Sequence, residues 1–244
     1  MIVNFDDGTN PFNGGTVSTA QAWSGDKSLY LGMGVTALLD VPAEYLGQTF
    51  TVSMMIYDMG KWIDRTVQGY PTTCYGPRWG VSHGPDAGQG VGLAIIEKSY
   101  LASTSGYSYS KEGRFATSWF SNEWEASFTP RQTTLSDNGG TYDPETGTWT
   151  MGTEGVGQWT QWNFECAPNG DVTIWREGWT GKRFTTNIGE QASEIYFYGG
   201  RNHATLGAPL AGVYVDDVTV VPEPHAAVLF TVSILLLGRV RRRR

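Results

Sequence analysis

The sequence predicts an all-β fold, an antiparallel β-sandwich, from three observations. Glycine is abundant, with 32 residues in a chain of 244, while aromatic residues make up 13% and charged residues only 17%. Several segments alternate apolar and polar residues with the period of two that a half-buried strand requires. Apart from the C-terminal tail, no stretch has a convincing helical period. This composition favours strands joined by many turns in one domain.

The alternating segments follow one another along the chain. The strongest is residues 49–57, in which Phe50, Val52, Met54 and Ile56 share one face that should line the core. Residues 58–90 and 130–146 have no such pattern and read as long connections. The predicted strands are residues 2–5, 29–31, 35–41, 49–57, 91–98, 114–120, 124–128, 158–166, 172–176, 195–198 and 213–220.

The clearest local signal is a hairpin in the C-terminal half. Two alternating runs, residues 158–166 and 172–176, flank a Pro-Asn-Gly-Asp sequence at residues 168–171. Asn-Gly favours the positive φ angles that tight hairpin turns require. We therefore expect these two runs to pair as neighbouring antiparallel strands.

Exposed aromatic residues suggest that the chain binds carbohydrate. A sugar ring stacks its C–H face on a flat aromatic ring, and neighbouring polar groups bind the hydroxyls. Tryptophans that alternate along a strand can instead pack in the core, and this alternative stays open. We expect glycan contacts from two groups, which comprise Trp62, Tyr75, Arg78 and Trp79, and further along the chain Trp119 and Trp124.

Charge and cysteine content narrow the function classes. Five of the 17 basic residues and one of the 24 acidic residues lie beyond residue 221, so residues 1–221 carry a net charge of about −11. Such a domain repels phosphate backbones, which argues against a nucleic-acid partner. Cys74 and Cys166 are too few for a disulfide scaffold or a zinc site. They form either one long-range disulfide or two isolated thiols.

Catalytic motifs are weak. Glu123 and Glu125 lie two residues apart, but a glycosidase needs two carboxylates that face each other across the scissile bond. No nucleophile elbow or reactive-cysteine context accompanies the three histidines. We therefore expect a non-catalytic glycan-binding or structural protein. The alternative is a divergent glycoside hydrolase or polysaccharide lyase.

The C-terminal tail, residues 222–244, has three parts. A Pro-Glu-Pro sequence comes first, an apolar run of 13 residues from Ala226 to Gly238 follows, and arginines end the chain. The run is shorter than the roughly twenty residues that cross a bilayer as a helix, and the arginines favour the cytoplasmic side. We expect residues 1–221 to form the folded domain and the tail to form a hydrophobic helix that enters the membrane transiently.

This tail resembles the PEP-CTERM sorting signal, the substrate tag of exosortase. The residues that carry the resemblance are Pro222, Glu223, Pro224, Arg241, Arg242, Arg243 and Arg244. The resemblance implies export, recognition by an exosortase-type processing enzyme at the inner membrane, and delivery to the cell surface or extracellular matrix. An extracellular polysaccharide would be a partner in that location.

The strand pattern of residues 1–221 resembles concanavalin-like and carbohydrate-binding-module jelly rolls. Residues 4–8, Asn-Phe-Asp-Asp-Gly, are similar to the opening strand of those modules, and residues 215–218, Val-Asp-Asp-Val, to their closing strand. The resemblance implies a structural calcium ion, which hard oxygen ligands would bind. Asp6 and Asp216 would be its carboxylate ligands, and residues 24–27 would supply carbonyl groups together with Asp26. The alternative is that these acids only form local hydrogen bonds.

Overall fold

The structure is a computed structural model of the chain. It describes residues 1–32, 34–59, 73–83, 90–98, 115–120, 141–143, 148–150, 157–178, 183–199 and 212–223. In these residues the secondary structure consists of fifteen strands and one short 3-10 turn at Ala43–Tyr45. The predicted all-β class is therefore confirmed.

The strands form a jelly-roll β-sandwich of two large antiparallel sheets and one small hairpin. The larger sheet contains β1 (Ile2–Val3), β2 (Thr16–Ser18), β3 (Ser28–Gly32), β5 (Phe50–Asp58), β11 (Trp159–Cys166), β12 (Asp171–Arg176), β13 (Arg183–Asn187) and β15 (Gly212–Pro222). The five-stranded sheet contains β4 (Thr36–Asp40), β6 (Thr73–Ser82), β7 (Gly90–Lys98), β8 (Phe115–Phe120) and β14 (Glu194–Tyr198). The hairpin pairs β9 (Thr141–Asp143) with β10 (Thr148–Thr150).

The order of strands shows how the chain closes on itself. The eight-stranded sheet runs β13-β12-β11-β5-β15-β3-β2, and β1 also pairs with β15. The other sheet runs β4-β14-β6-β7-β8. β15 is therefore central in the larger sheet, with β5 on one side and β3 and β1 on the other.

The core lies between the two sheets and follows from the alternation of side chains along each strand. On β5, Phe50, Val52, Met54 and Ile56 are all buried, as the sequence predicted. Trp79 of β6 and Trp162 of β11 meet across the core, with ring centroids 5.8 Å apart. The predicted hairpin is also present, because β11 pairs with β12 around residues 167–170.

Three parts of the sequence interpretation need correction. Residues 58–90 are not one long connection, because β6 occupies Thr73–Ser82. β2, β9, β10 and β13 were not predicted, and β9 lies within residues 130–146, which the sequence predicted to be a connection. The last strand extends two residues beyond its predicted end at residue 220, since β15 includes Pro222 and Glu223 donates its N–H to Thr49 O at 2.9 Å. Proline fits a strand end, where its missing N–H breaks no ladder hydrogen bond.

Cys166 is a free thiol buried in the core, which agrees with the alternative of isolated thiols. Its Sγ contacts Phe164 O at 3.6 Å. Burial, with a smaller contribution from the charge of Glu165, raises the pKa of this thiol far above its usual range. The thiol therefore stays protonated and packs as a small apolar group.

Residues 224–244, which contain Pro224 and the four terminal arginines, lie outside the described residues. The predicted sorting helix and the predicted domain boundary remain predictions for that reason. Among the residues that the structure describes, no helix has the length and hydrophobicity to cross a membrane.

Replacing Trp79 by alanine should lower the free energy of unfolding by about 3–5 kcal/mol, because a large buried side chain would leave a cavity against Trp162. Chemical denaturation measures this loss. Leu46→Ala is the control, because Leu46 is 41% exposed and its truncation should change stability by about 0.5 kcal/mol or less. Equal effects of the two substitutions would contradict the core position of Trp79.

Candidate functional site

One face of the five-stranded sheet turns away from the core and carries polar side chains. Because Trp79 and Val81 point into the core, the alternate β6 residues Arg78 and Ser82 point outward. β14 follows the same rule, with Ile195 inside. We call the outward set the polar face; it comprises Arg78, Ser82, Glu194, Tyr196 and Tyr198.

Strand pairing brings the members of the polar face together. β14 pairs with β6 so that Arg78 lies opposite Tyr198 and Ser82 lies opposite Glu194. The Ser82 hydroxyl donates to Glu194 Oε2 at 2.9 Å. The Arg78 guanidinium lies 5.9 Å from the centre of the Tyr198 ring, within the range of a cation–π contact. An acid, a hydroxyl, a cation and two phenols thus share one surface.

These side chains are more buried than an outward sheet face would suggest. Arg78 is only 5% exposed, and Ser82, Glu194 and Tyr196 are also buried. Fully buried arginine and glutamate are rare in proteins. Their presence together, away from the apolar core, therefore marks the polar face as a candidate functional site. Burial raises the pKa of Tyr196 well above its usual value, although the charge of Arg78 opposes that shift. Tyr196 therefore remains a neutral phenol at physiological pH.

Glycines leave the centre of the polar face without side chains. Gly80 on β6 lies opposite Tyr196 on one side and opposite Gly92 of β7 on the other. Two paired glycines place no side chain between the tyrosine and the next strand, as is common where another group approaches a sheet closely. The polar face therefore combines a pair of glycines with hydrogen-bonding side chains around it.

The predicted sugar-binding residues have three different outcomes. Arg78 belongs to the polar face. Trp79 lies in the core, so a sugar ring cannot stack on it, and the open alternative of core packing is the correct one. The side chains of the others, Trp62, Tyr75, Trp119 and Trp124, lie outside the described residues, although β6 contains Tyr75 and β8 contains Trp119.

Sequence reasoning missed four members of the polar face, namely Ser82, Glu194, Tyr196 and Tyr198. The β14 sequence Glu-Ile-Tyr-Phe-Tyr does carry a usable signal, because its polar and aromatic residues alternate with apolar ones. A strand in which a carboxylate and two phenols share the face opposite the core is unusual enough to mark as a candidate.

The residues predicted to bind calcium lie around one loop. Asp216 is buried, and its Oδ2 accepts the backbone N–H groups of Trp23 at 2.9 Å and Ser24 at 3.2 Å. Its Oδ1 accepts the N–H of Asp217 at 2.8 Å. Burial raises the pKa of the Asp216 carboxyl, while these N–H donors oppose the shift.

Asp6 contacts the other end of the same loop. Its Oδ1 accepts the N–H of Asp26 at 3.0 Å, and its backbone carbonyl accepts a hydrogen bond from Lys27 Nζ at 2.7 Å. Gly25 has no room for a side chain, because a Cβ at this position would collide with the Asp6 carboxylate. The loop therefore presents N–H groups and an ammonium to this region.

This donor set does not fit calcium, which needs free carboxylate and carbonyl oxygens. The carboxylate oxygens of Asp216 and Oδ1 of Asp6 accept N–H groups, and the Asp6 carbonyl accepts a lysine. Within the described residues, no three acidic, histidine or cysteine side chains converge on one metal position. These hydrogen bonds favour the open alternative, in which the acids only form local hydrogen bonds.

Comparisons with known proteins show likeness in architecture at low identity. No protein-family model matches the chain, and no curated protein matches it. Domain 4 of the arabinanase AbnA from Geobacillus stearothermophilus is similar at 15% identity and a TM-score of 0.47, over 91% of this chain and 90% of that one. A cellulose-induced protein matches at 10% identity and a TM-score of 0.48, over 91% and 96%. An alginate lyase from Aplysia kurodai matches at 14% and 0.40, over 91% and 90%.

Gly25→Ala should destabilise the protein more than Gly47→Ala. Both glycines have a positive φ, of 58° and 82°, so both substitutions carry a conformational cost of about 1–2 kcal/mol. Only at Gly25 would the new Cβ also collide with the Asp6 carboxylate, whereas nothing lies within 4 Å at Gly47. Urea denaturation of both variants measures the difference, and equal losses would contradict the contact between Asp6 and the loop.

Chelation with EDTA should leave the melting temperature unchanged, because N–H groups and Lys27 already satisfy the oxygens that calcium would need. Lys27→Met should lower the melting temperature under the same conditions. The control is the wild-type chain in added calcium. A reversible drop with EDTA would instead show that the loop reorganises around an ion.

Proposed function

We propose that this chain is an exported, non-catalytic glycan-binding protein that binds its ligand on the polar face. The observation that carries the proposal is the group of buried polar side chains, Arg78, Ser82, Glu194 and Tyr196, on the sheet surface opposite the core. Pockets that bind small polar ligands place a few polar groups against an otherwise closed surface. The polar face has that arrangement around its two glycines.

The chemistry of the polar face suits a carbohydrate. Arg78 supplies a fork of N–H donors, Glu194 supplies acceptor oxygens, and tyrosine hydroxyls act as both donor and acceptor. The half-buried Tyr198 ring offers an apolar surface for the C–H face of a sugar. A glycan needs both kinds of contact at once.

Export to the cell surface or extracellular matrix is part of the proposal. It is supported by the tail sequence, in which Pro-Glu-Pro, an apolar run and terminal arginines follow in order. An exosortase-type enzyme at the inner membrane would then be the processing partner. An extracellular polysaccharide would be available as a ligand in that location.

A divergent glycoside hydrolase or polysaccharide lyase is the second candidate. The observation in its favour is that Glu194 lies directly opposite Asp40 of β4, on the same face of the sheet. A glycosidase needs a pair of carboxyl groups for catalysis. Asp40 is exposed whereas Glu194 is buried, so their environments differ.

Tyr198→Ala should weaken glycan binding at least tenfold, because it removes the ring that faces Arg78. A glycan array of neutral and uronic acid oligosaccharides, followed by titration calorimetry, measures the change. Trp23→Ala is the matched control, since Trp23 is an aromatic residue that is 54% exposed and lies on a loop away from the polar face. Equal binding by wild type and Tyr198→Ala would overturn the proposed site.

The same samples distinguish binding from catalysis. We expect no release of reducing ends and no unsaturated sugar product from the wild-type chain. If product does form, and Glu194→Gln stops its formation while Trp23→Ala does not, the hydrolase or lyase is the correct function. Binding by the wild-type chain with no product in any sample supports the non-catalytic function.

A further inference from the structure

The outward face of the eight-stranded sheet carries a row of aromatic rings. Tyr30, Tyr214, Tyr57 and Trp159 lie opposite one another on four adjacent strands, β3, β15, β5 and β11. Consecutive ring centroids are 4.9, 6.1 and 5.4 Å apart. Tyr214 is almost fully buried between its neighbours, whereas the other three rings are half-buried. We call these four residues the aromatic row.

A polar side chain on the same face has an unsatisfied hydrogen-bonding group. Asn163 of β11 is only 3% exposed, and its Oδ1 accepts hydrogen bonds from Ser53 Oγ at 2.6 Å and Gln161 Nε2 at 3.4 Å. Its Nδ2 is buried and has no hydrogen-bond partner in the described part of the chain. A buried donor without a partner costs about 1–3 kcal/mol, so its retention calls for an explanation.

Rotation of the Asn163 amide does not remove this cost. With the amide reversed, Nδ2 would face Ser53 and Oδ1 would become the buried atom without a partner. The hydrogen bonds from Ser53 and Gln161 therefore fix the amide plane and leave one of its two polar atoms directed elsewhere. A hydroxyl group can satisfy either atom, because it both donates and accepts.

A second aromatic ring lies next to this amide. Trp175 is directly opposite Asn163 in the pairing of β11 with β12, and it is half-buried. The guanidinium of Arg183 on β13 lies 4.3 Å from the centre of the Trp175 ring. The guanidinium lies over one face of the ring, holds the ring in place and adds N–H donors beside it.

Asn163 and the aromatic row lie on the same face of the eight-stranded sheet. Trp159 and Asn163 are four residues apart on β11, a distance of about 13 Å at the rise of a strand. Because four is an even number, both side chains project from the same face. Gln161 and Met55 lie between them on that face, opposite each other on β11 and β5.

We infer that this surface is a second glycan-binding site, on the side of the sandwich opposite the polar face. An extended oligosaccharide would lie along β11, with one ring against Trp159 and Tyr57 and another against Trp175. A sugar hydroxyl would form the hydrogen bond that Asn163 Nδ2 lacks. The ligand class is an oligosaccharide long enough to span about 13 Å along the strand.

Two sites on opposite faces would make a single chain bivalent. A chain that binds one polysaccharide strand on each face connects the two strands, and linked binding raises the overall avidity without new contacts. This consequence depends on the proposed function of the polar face, whereas the second site itself does not. The two sites can therefore be tested separately in one protein.

The test is titration calorimetry of the full chain with cellohexaose, xylohexaose and an alginate hexasaccharide. We expect two sites per chain for the hexasaccharide that binds. Trp175→Ala and Asn163→Leu should each remove one of them or weaken it at least tenfold. Asn163→Leu is the sharper variant, because leucine has a similar volume but offers no polar atom to a sugar hydroxyl. Thr173→Ala, on the same strand, is the control and should change neither site.

The possible outcomes test the two sites separately. If Trp175→Ala and Asn163→Leu bind as wild type does, with melting temperatures that show folded protein, the second site is wrong. If Tyr198→Ala has no effect while Trp175→Ala abolishes binding, the polar face is wrong and the second site stands. Absence of binding to all three hexasaccharides by the wild-type chain would overturn both. Melting curves of every variant separate lost binding from lost folding.

Discussion

The pairing of β15 with β5 is the constraint on which the rest of the structure depends. β15 lies near the C-terminal end of the described chain, yet it occupies the middle of the eight-stranded sheet and also pairs with β3 and β1. None of these neighbours can complete its hydrogen bonds until the last strand is in place. Contacts at such sequence separation make folding slow, because the connecting chain must be ordered first.

β15 also holds the loop of residues 23–27, which contacts Asp6. A bulge between Asp216 and Thr219 places Asp217 in a left-handed conformation, with a φ of 44°. The bulge lets the buried Asp216 carboxylate reach the N–H groups of Trp23 and Ser24. A non-glycine residue held in that conformation costs free energy, which the surrounding hydrogen bonds offset. β15, the loop and Asp6 therefore stabilise one another.

The sequence predicted the local features of the fold well. Residues 49–57 and the hairpin around Asn169 and Gly170 depend on neighbours in the chain, so periodicity and turn chemistry identify them. β6 was missed because Gly76 and Pro77 fall where its register shifts, between Tyr75 and Arg78, and this irregularity hides the period of two. Trp79 was consequently assigned to a loop although it lies in the core.

The candidate site could be predicted only in part, because it depends on pairing between distant strands. Arg78 and Tyr198 are 120 positions apart in the sequence, and only the β6–β14 register brings them together. The calcium prediction had a different difficulty. Residue types indicate that acids and a loop are present, but the backbone angles decide whether the loop offers N–H groups or carbonyls. Gly25, with its φ of 58°, belongs to the conformation that offers N–H groups.

The position of Glu223 has a mechanical consequence. Its N–H donates to Thr49 O, directly before β5, at 2.9 Å, and its carboxylate accepts the Thr51 hydroxyl of β5 at 2.7 Å. A force applied through the following residues would pull β15 along its own axis, parallel to β5 and β3. In that shear geometry many ladder hydrogen bonds share the load and must break together. The folded domain should therefore resist tension from its C-terminal side better than a sheet that is peeled open one bond at a time.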